Sequence, residues 1–445
     1  MVIVGAGGSE RTKEPPDELL ARSTTFPLIR LMDRVLPDRR WPADFFAMLV
    51  AAAIPWSTTA TAALAVLWFI ALAPIIHRAD AIYNLRRPAT ALPLLLGAFA
   101  IASIAWSDGN SSDIVRGIKP FLRLMLLPLL FAQYRHSDRG IQVLKAFLAS
   151  CSLLLLFSFA TTIYPPLWRE DNPGVPIRDQ TAQSAEFALC FFALLYLGLR
   201  SWQKANYVLG GILAICSLLF LYDMLFIATS RTELVILPVL VAMLFYRLYG
   251  LKSLPIAFVT IGLLGAIIWT SSSYVRGRIQ HGVWELQQFE EFDRPTSIGL
   301  RLAWWRKSID FVSRAPILGH GVGSIEGLFK ESSAGKSGAS GVAINNPHNQ
   351  FFAVSIPLGL AGLAILLAML WYHYALFRGD GWLPWLGAIV VIRTLVGSIF
   401  YSQLLDFTES WIYVWAVGVI GGSLARRADA HGDEPPSSLP SPNRV

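Results

Sequence analysis

Long apolar stretches recur along almost the whole chain, and they constrain its fold more than any other feature. Most run for about twenty residues, which is the length an α-helix needs to cross a lipid bilayer, and the first is shorter. We place them near residues 42–55, 58–76, 89–106, 115–134, 141–163, 184–200, 206–226, 232–248, 254–270, 349–376, 382–401 and 408–425. The short alternating strands typical of a membrane β-barrel do not occur between them. The sequence therefore predicts an all-α integral membrane protein with a bundle of about 12 transmembrane helices.

Composition supports this class and excludes others. Of the 445 residues, 54% are hydrophobic and 15% are charged, whereas an ordinary soluble domain has about 25% charged residues. The net charge of +7 does not indicate a nucleic-acid partner, because the basic residues lie mostly in short loops and no basic, aromatic-interleaved surface is present. The three cysteines lie inside apolar runs without metal-site spacing, so we interpret them as small core residues.

The distribution of lysine and arginine predicts the orientation. Loops with basic residues, such as Arg86 and Arg87, alternate with loops that have none, such as 107–113 and 402–407. Basic loops favour the cytoplasmic side. We therefore expect both termini in the cytoplasm of a Gram-negative cell, and the long polar interval on the periplasmic face of the inner membrane. The predicted division is a cytoplasmic N-terminal tail at 1–40, transmembrane helices 1–9 at 41–270, a periplasmic loop domain at 271–348, transmembrane helices 10–12 at 349–425 and a disordered cytoplasmic tail at 426–445.

The long periplasmic interval has helical patterning of its own. Apolar residues recur at helical spacing between charged ones, which predicts an amphipathic helix over 301–313 lying on the outer leaflet. Its apolar positions are Leu302, Trp305, Ile309 and Val312. A weaker pattern near 283–289 predicts a second helix before it.

A group of cations lies on the predicted external side, where positive charge is expensive in or near the membrane. They are Arg116, Lys119, Arg123, Arg178, Arg231 and Arg301. The first three stand at i, i+3 and i+7 and share one helix face. Arginine's planar fork suits phosphate, so the group predicts a site for an anionic head group. The alternative is that each is an interfacial anchor or pairs with a neighbour, as Arg231 would with Glu233.

Two histidines are candidates for chemistry. His348, in Pro347-His348-Asn349-Gln350, ends the polar interval just before an apolar run. Its ordinary pKa of about 6.5 suits a general base. The alternative is that His348 and Asn349 only cap the next helix. His320 lies in the glycine-rich stretch 316–324, which is typical of either a structural turn or an anion cradle. The acidic cluster at 290–293 lacks nearby histidines, so we predict no metal site.

Several short motifs, taken in order, resemble one family. They are Thr229-Ser230-Arg231-Thr232, Arg301 with Trp304-Trp305, Pro316-Ile317-Leu318-Gly319-His320-Gly321 and Pro347-His348-Asn349-Gln350-Phe351. With the single long loop, they resemble the O-antigen ligases, within the wider O-antigen ligase and polymerase superfamily. The resemblance covers roughly 178–406 by motif and the whole chain by topology.

The resemblance implies an enzyme without a metal or nucleotide cofactor. Such a ligase transfers a glycan from undecaprenyl diphosphate to a sugar hydroxyl of lipid A–core and completes lipopolysaccharide. It implies that His348 is the base or activator, that Arg231 and Arg301 hold the diphosphate, and that Asp406 matches a late external aspartate. The remaining residues that we predict to bind substrate are Arg116, Lys119, Arg123, Arg178, Asn349 and His320.

Three other functions stay open from the sequence. An O-antigen polymerase would use the same donor with another lipid-linked glycan as acceptor. A protein O-oligosaccharyltransferase would glycosylate a protein hydroxyl. A non-catalytic transporter of the lipid-linked glycan needs charges through the central bilayer, where Arg393 is the main candidate.

Overall fold

The computed structural model describes residues 39–168 and 172–431. Over these residues the chain forms α-helices joined by turns and short 3₁₀ segments, with no β-strand. The predicted all-α class is therefore confirmed for the described part of the chain. In order, the α-helices are α1 (Trp41–Ala53), α2 (Thr58–Leu72), α3 (Arg78–Leu85), α4 (Pro88–Ala102), α5 (Ser111–Leu124), α6 (Leu127–His136), α7 (Gly140–Ile163), α8 (Gln180–Gln203), α9 (Tyr207–Phe226), α10 (Arg231–Tyr249), α11 (Leu254–Ser271), α12 (Ser273–Phe292), α13 (Ser297–Arg314), α14 (Ser324–Ser333), α15 (Gln350–Leu376), α16 (Trp382–Gly397) and α17 (Phe407–His431).

Eight segments of the described residues are long and apolar enough to cross a membrane. They are Thr58–Ile75, Pro88–Trp106, Gly140–Ile163, Gln180–Gln203, Tyr207–Phe226, Arg231–Tyr249, Leu251–Ser271 and Gln350–Leu376. Each coincides with a run identified from the sequence. The protein is therefore a multi-pass membrane protein.

The other four predicted spans fall short for different reasons, so the count of twelve stays a prediction. α1 and α16 have 13 and 16 residues, and at about 1.5 Å per residue neither covers a hydrocarbon core of about 30 Å. The predicted fourth span divides into α5 and α6, because the ring of Pro128 conflicts with a continuous helix at the carbonyl of Leu124. α17 is long enough but has Glu409 in its first turn and arginines near its end.

The terminal segments can be compared only in part. α17 continues to His431, beyond the predicted boundary at 425. Residues 432–445 of the predicted C-terminal tail lie outside the described residues. So do residues 1–38 of the predicted N-terminal tail.

The long interval between α11 and α15 contains three helices, α12, α13 and α14. The two helices expected there are confirmed, while the placement of the apolar face of α13 on the outer leaflet stays a prediction. Its buried residues are Gly299, Ala303, Trp304, Ser308 and Phe311, whereas the side chain of Ile309 is 60% exposed. Trp304 and Phe311 pack with Phe329 of α14 in a small core of this region. The spacing of apolar residues predicted the helix, but tertiary packing against α14 and α15 selected its inner side.

A break in α15 joins this region to the membrane helices. Gly359 has a φ of 63°, so the helical conformation of α15 is interrupted at this residue. The break leaves backbone groups for the segment before α14 to pair with. His320 N donates to Ile356 O at 2.9 Å, Gly321 N donates to Pro357 O at 2.9 Å, and Leu360 N donates to Pro316 O at 2.7 Å. The glycine-rich stretch 316–324 therefore packs against the break in α15, and we call it the docking turn.

Candidate functional site

Arg231 and Arg301 line one cavity, although 70 positions separate them along the chain. Arg231 is the first residue of α10, and Arg301 lies one turn into α13. The cavity has a volume of about 640 Å³ and is also lined by Gln180, Thr181, Ser230, His281 and Glu285. We call it the arginine cavity. The arrangement brings two of the three residues proposed for catalysis into one polar space.

Glu285 of α12 holds Arg231 in place through a two-pronged ion pair. Arg231 Nη1 lies 3.1 Å from Glu285 Oε2, and Arg231 Nη2 lies 3.3 Å from Oε1. The same carboxylate accepts a hydrogen bond from Ile298 N at the start of α13, at 3.1 Å. Burial raises the pKa of Glu285, but the hydrogen bond and charge of Arg231 outweigh it, so the pKa lies below its ordinary value. Glu285 therefore stays ionised and fixes Arg231 relative to α13.

Arg301 supplies the second positive charge of the arginine cavity. Burial lowers the pKa of its guanidinium, and the nearby charge of Arg231 lowers it further. The negative charge of Glu285 opposes this shift, since it raises the pKa of Arg301. Two guanidiniums that share one carboxylate favour an anion with more than one negative charge.

His348 lies beside α13, in a strained and partly buried setting. Its φ is 49°, a left-handed conformation that is uncommon for a residue other than glycine and that clusters at functional sites. The imidazole stacks on Trp304, with ring centroids 5.3 Å apart, and lies 5.6 Å from the ring of Tyr401. Its Nδ1 is buried and has no hydrogen-bond partner among the described residues.

These surroundings set the charge of His348. Burial lowers its pKa to about 4, and the positive charge of Arg301 contributes to the shift. The imidazole is therefore neutral at pH 7 and has a lone pair for a proton. Among the residues that line the arginine cavity, Arg301 is the one that acts electrostatically on His348. Trp304, three positions after Arg301, lies on the same side of α13 and contacts the imidazole.

Asn349 caps α15, as the structural alternative expected. Its side-chain oxygen accepts from Phe351 N and Phe352 N at 3.0 and 3.2 Å, and its Nδ2 donates to Ile399 O at 2.9 Å. These contacts occupy both ends of the amide. They anchor the backbone immediately after His348.

The remaining predicted cations do not join Arg231 and Arg301. Arg123 and Arg178 lie over the ring of Phe407, at 5.1 and 5.4 Å from its centroid. Arg123 Nη1 also donates to Asp406 O at 3.0 Å, and Arg178 donates to Ile54 O at 2.8 Å. The predicted cationic face of α5 thus splits, because Arg116 is paired with Glu326 of α14 and Lys119 is exposed.

Asp406 and His320 also lie apart from the residues that line the arginine cavity. Burial raises the pKa of Asp406 to about 8, and the neighbouring Glu409 adds to the shift, so the carboxyl is mostly protonated at pH 7. His320 Nε2 donates to Phe311 O at 2.8 Å. That bond favours a structural role for His320 in the docking turn.

Two ion pairs differ from those suggested by sequence proximity. Arg231 pairs with Glu285 rather than Glu233. Glu233 is buried and pairs instead with Arg393 of α16, at 2.5 Å. Residues two apart on a helix face different directions. Helix geometry therefore disfavours a pair between Arg231 and Glu233.

The sequence reasoning missed Glu285, Trp304 as a stacking partner, and Tyr401. The sequence did contain a feature that could have marked Glu285 as a site residue. It is an acidic residue within a helix that was predicted from its apolar positions. The stacking of Trp304 and Tyr401 on His348 had none, because it depends on how α13 and the end of α16 pack around the start of α15.

Comparison with known proteins bears on the segment that contains this site. Residues 215–367 match a family model described as O-antigen ligase. No curated protein matches the chain. The matched segment runs from α9 into α15 and includes Arg231, Arg301 and His348. This segment of the chain is therefore similar to the O-antigen ligase family.

Proposed function

We propose that the protein is an O-antigen ligase that transfers a glycan from undecaprenyl diphosphate to a sugar hydroxyl of lipid A–core. The observation that carries the proposal is the arrangement around α13. On this helix Arg301 faces a cavity shared with Arg231, while Trp304 stacks on a neutral His348. The family match to residues 215–367 supports the same class of reaction.

Arg231 and Arg301 hold the donor diphosphate. Their guanidiniums bind phosphate oxygens and stabilise the negative charge that grows on the leaving group. Because Glu285 already orients Arg231, little reorganisation is needed when the donor binds. The leaving group is itself a diphosphate, so the proposed step uses no metal or nucleotide.

His348 takes the proton from the acceptor. The acceptor hydroxyl oxygen attacks the anomeric carbon of the donor sugar, and the bond from that carbon to the diphosphate oxygen breaks. The bonding electrons leave with the diphosphate, and the hydroxyl proton passes to the imidazole. A pKa of about 4 makes a weak base, but the negative charge of the bound donor raises it toward neutrality.

We further propose that the site faces the periplasm, from an inner-membrane protein with both termini in the cytoplasm. The support is the alternation of basic and non-basic loops. In this orientation residues 271–348 form the periplasmic domain between two groups of transmembrane helices, 41–270 and 349–425. Donor and acceptor then approach from the outer leaflet, where lipids hold both of them and proximity assists the transfer.

Lipopolysaccharide banding tests the function directly. A strain that lacks the gene is expected to make lipid A–core without any attached repeat, and wild-type protein is expected to restore long chains. His348→Ala and Arg231→Ala should fail to restore them at normal protein levels. A single attached repeat in the deletion strain would instead indicate a polymerase. Normal long-chain lipopolysaccharide in both variants would refute the assigned site.

A further inference from the structure

A second polar cavity lies on another side of the His348 segment. It has a volume of about 180 Å³ and lies between α5, α14 and the start of α15. Its polar lining residues are Asp113, Arg116, Glu326, Asn345 and Asn346. It shares no lining residue with the arginine cavity. We call it the asparagine cavity.

The wall of the asparagine cavity is bonded to His348. The side-chain oxygen of Asn346 accepts a hydrogen bond from His348 N at 3.0 Å. The same oxygen accepts from Ser402 Oγ at 2.6 Å. Asn346 therefore fixes the strained backbone of His348 while it faces the cavity. The arginine cavity relates to the imidazole of the same residue through the charge of Arg301 and the stacking of Trp304, both on α13.

The charges of the asparagine cavity do not suit a diphosphate. Arg116 is paired with Glu326 and lies 3.6 Å from Asp113. Lys330 also pairs with Glu326, at 2.7 Å. The positive charges are thus matched by two carboxylates, and those carboxylates would repel a phosphate. The arginine cavity, with two guanidiniums for one carboxylate, remains the anion site.

The lining instead suits a sugar with several hydroxyl groups. Carboxylates and amide oxygens accept hydrogen bonds from hydroxyls, and amide and guanidinium N–H groups donate to them. Phe121, Pro120 and Pro357 provide an apolar wall for the C–H face of a ring. The cavity is smaller than the roughly 300–1,000 Å³ of drug-sized ligand sites, which limits it to about one sugar residue.

We propose that the asparagine cavity is the acceptor subsite and binds the sugar residue whose hydroxyl receives the glycan. The inference rests on the proposed transferase function and adds the location of the second substrate. It places donor diphosphate and acceptor sugar on two sides of the chain segment that contains His348. His348 is then adjacent to the acceptor hydroxyl that it deprotonates. Arg116 belongs with the acceptor, rather than with the diphosphate as the sequence suggested.

Steady-state kinetics of the purified full-length protein test this subsite. The substrates are an undecaprenyl-diphosphate-linked glycan and lipid A–core, each varied while the other saturates. Asn345→Ala removes an exposed polar wall residue, and Asn345→Trp fills the cavity. Glu326→Gln weakens the pairs with Arg116 and Lys330. Asp310→Asn is the matched control, since Asp310 forms an i,i+4 pair with Arg314 at 2.5 Å on α13.

The expected result is a split between the two substrates. Asn345→Ala and Glu326→Gln should each raise the acceptor KM by about tenfold, which corresponds to about 1.4 kcal/mol. Asn345→Trp should raise it further, and the donor KM should stay within about twofold for all three. Asp310→Asn should change neither KM.

Three results would overturn the inference, and they are distinguishable. An unchanged acceptor KM in Asn345→Trp would show that the acceptor binds elsewhere while the transferase function stands. A rise in the donor KM alone would make the cavity part of the donor site. Absence of product from the wild-type protein would refute the proposed function, and the acceptor subsite with it.

Discussion

At the scale of single residues, the state of His348 is set by contacts with side chains from other parts of the chain. Position and neighbouring motif marked His348. Its left-handed backbone, its buried Nδ1 and its lowered pKa depend on Trp304, Tyr401 and Arg301. These contacts join segments that are distant in the chain, so no local pattern encodes them.

The lowered pKa of His348 predicts an unusual pH profile. A base acts only when deprotonated, that is, above its pKa. Because the pKa of His348 lies at about 4, kcat/KM should stay level from pH 7 down to about 5 and fall as the pH passes through about 4. The profile of kcat/KM for the donor, measured with purified protein in detergent, checks this, since it reports the enzyme before the negatively charged donor binds.

The control for this profile is His320→Gln, which removes the histidine of the docking turn. Its normalised profile should match that of the wild type. Half-maximal loss near pH 6.5, the ordinary histidine value, would contradict a lowered pKa for His348.

The pair of Arg231 and Glu285 predicts a role in positioning. Glu285→Ala should lower kcat by at least about tenfold, because Arg231 loses the partner that orients it. Glu285→Gln should recover part of this loss, since the amide oxygen can still accept from Arg231. Turnover of purified variants at saturating substrates provides the measurement.

Glu290→Ala is the matched control, because Glu290 is an exposed carboxylate on the same helix. It should turn over like the wild type. A Gln variant as poor as Ala would mean that Glu285 acts through its charge alone, and wild-type kcat in Glu285→Ala would remove the positioning role.

At the scale of elements, hydropathy located most helices, because each apolar run must pair its backbone internally within lipid. Hydropathy failed where apolar sequence continues through a structural break. The run at 115–134 is divided before Pro128, and α15 is broken at Gly359. The break at Gly359 is stabilised by hydrogen bonds from the docking turn, and these are tertiary contacts.

The docking turn predicts that replacing glycine with alanine has very different effects on stability at two positions. Gly319 has a φ of 71°, and a Cβ there would lie 2.4 Å from Pro357 C and 2.5 Å from Gly359 N. Gly319→Ala should therefore destabilise the protein by several kcal/mol, on the order of 3. The fall in melting temperature of purified protein is the readout.

The matched control is Gly327→Ala within α14, where a Cβ would meet no atom within 4 Å. There alanine should be neutral or stabilising by up to about 1 kcal/mol. Equal melting temperatures for the two variants would show that the turn is not held tightly against α15.

At the scale of the whole molecule, the sequence grouped the external cations as one anion site. The structure separates them into a pair in the arginine cavity, a pair around Phe407, and Arg116 beside Glu326. A sequence shows the sign of each side chain's charge and its approximate depth in the membrane. Which helices meet, and therefore which charges share a cavity, depends on the packing of the entire bundle.

Orientation is a property of the whole molecule that labelling can measure. Ser337 and Lys252 are both exposed and lie on opposite predicted sides. In intact cells, Ser337→Cys should react with a membrane-impermeant maleimide that reaches the periplasm, and Lys252→Cys should react only after permeabilisation. The wild-type protein measures the background from its own cysteines, of which Cys151 and Cys190 are buried and Cys216 is partly buried. The reverse pattern would invert the proposed orientation.

The central claim is that neutral His348 removes a proton beside a diphosphate held by Arg231 and Arg301. The most direct measurement is product formation by purified His348→Ala protein, together with its affinity for labelled donor. Product formation is expected to fall by at least about a hundredfold, while donor affinity stays within about twofold of the wild type. Turnover at the wild-type rate would contradict this claim.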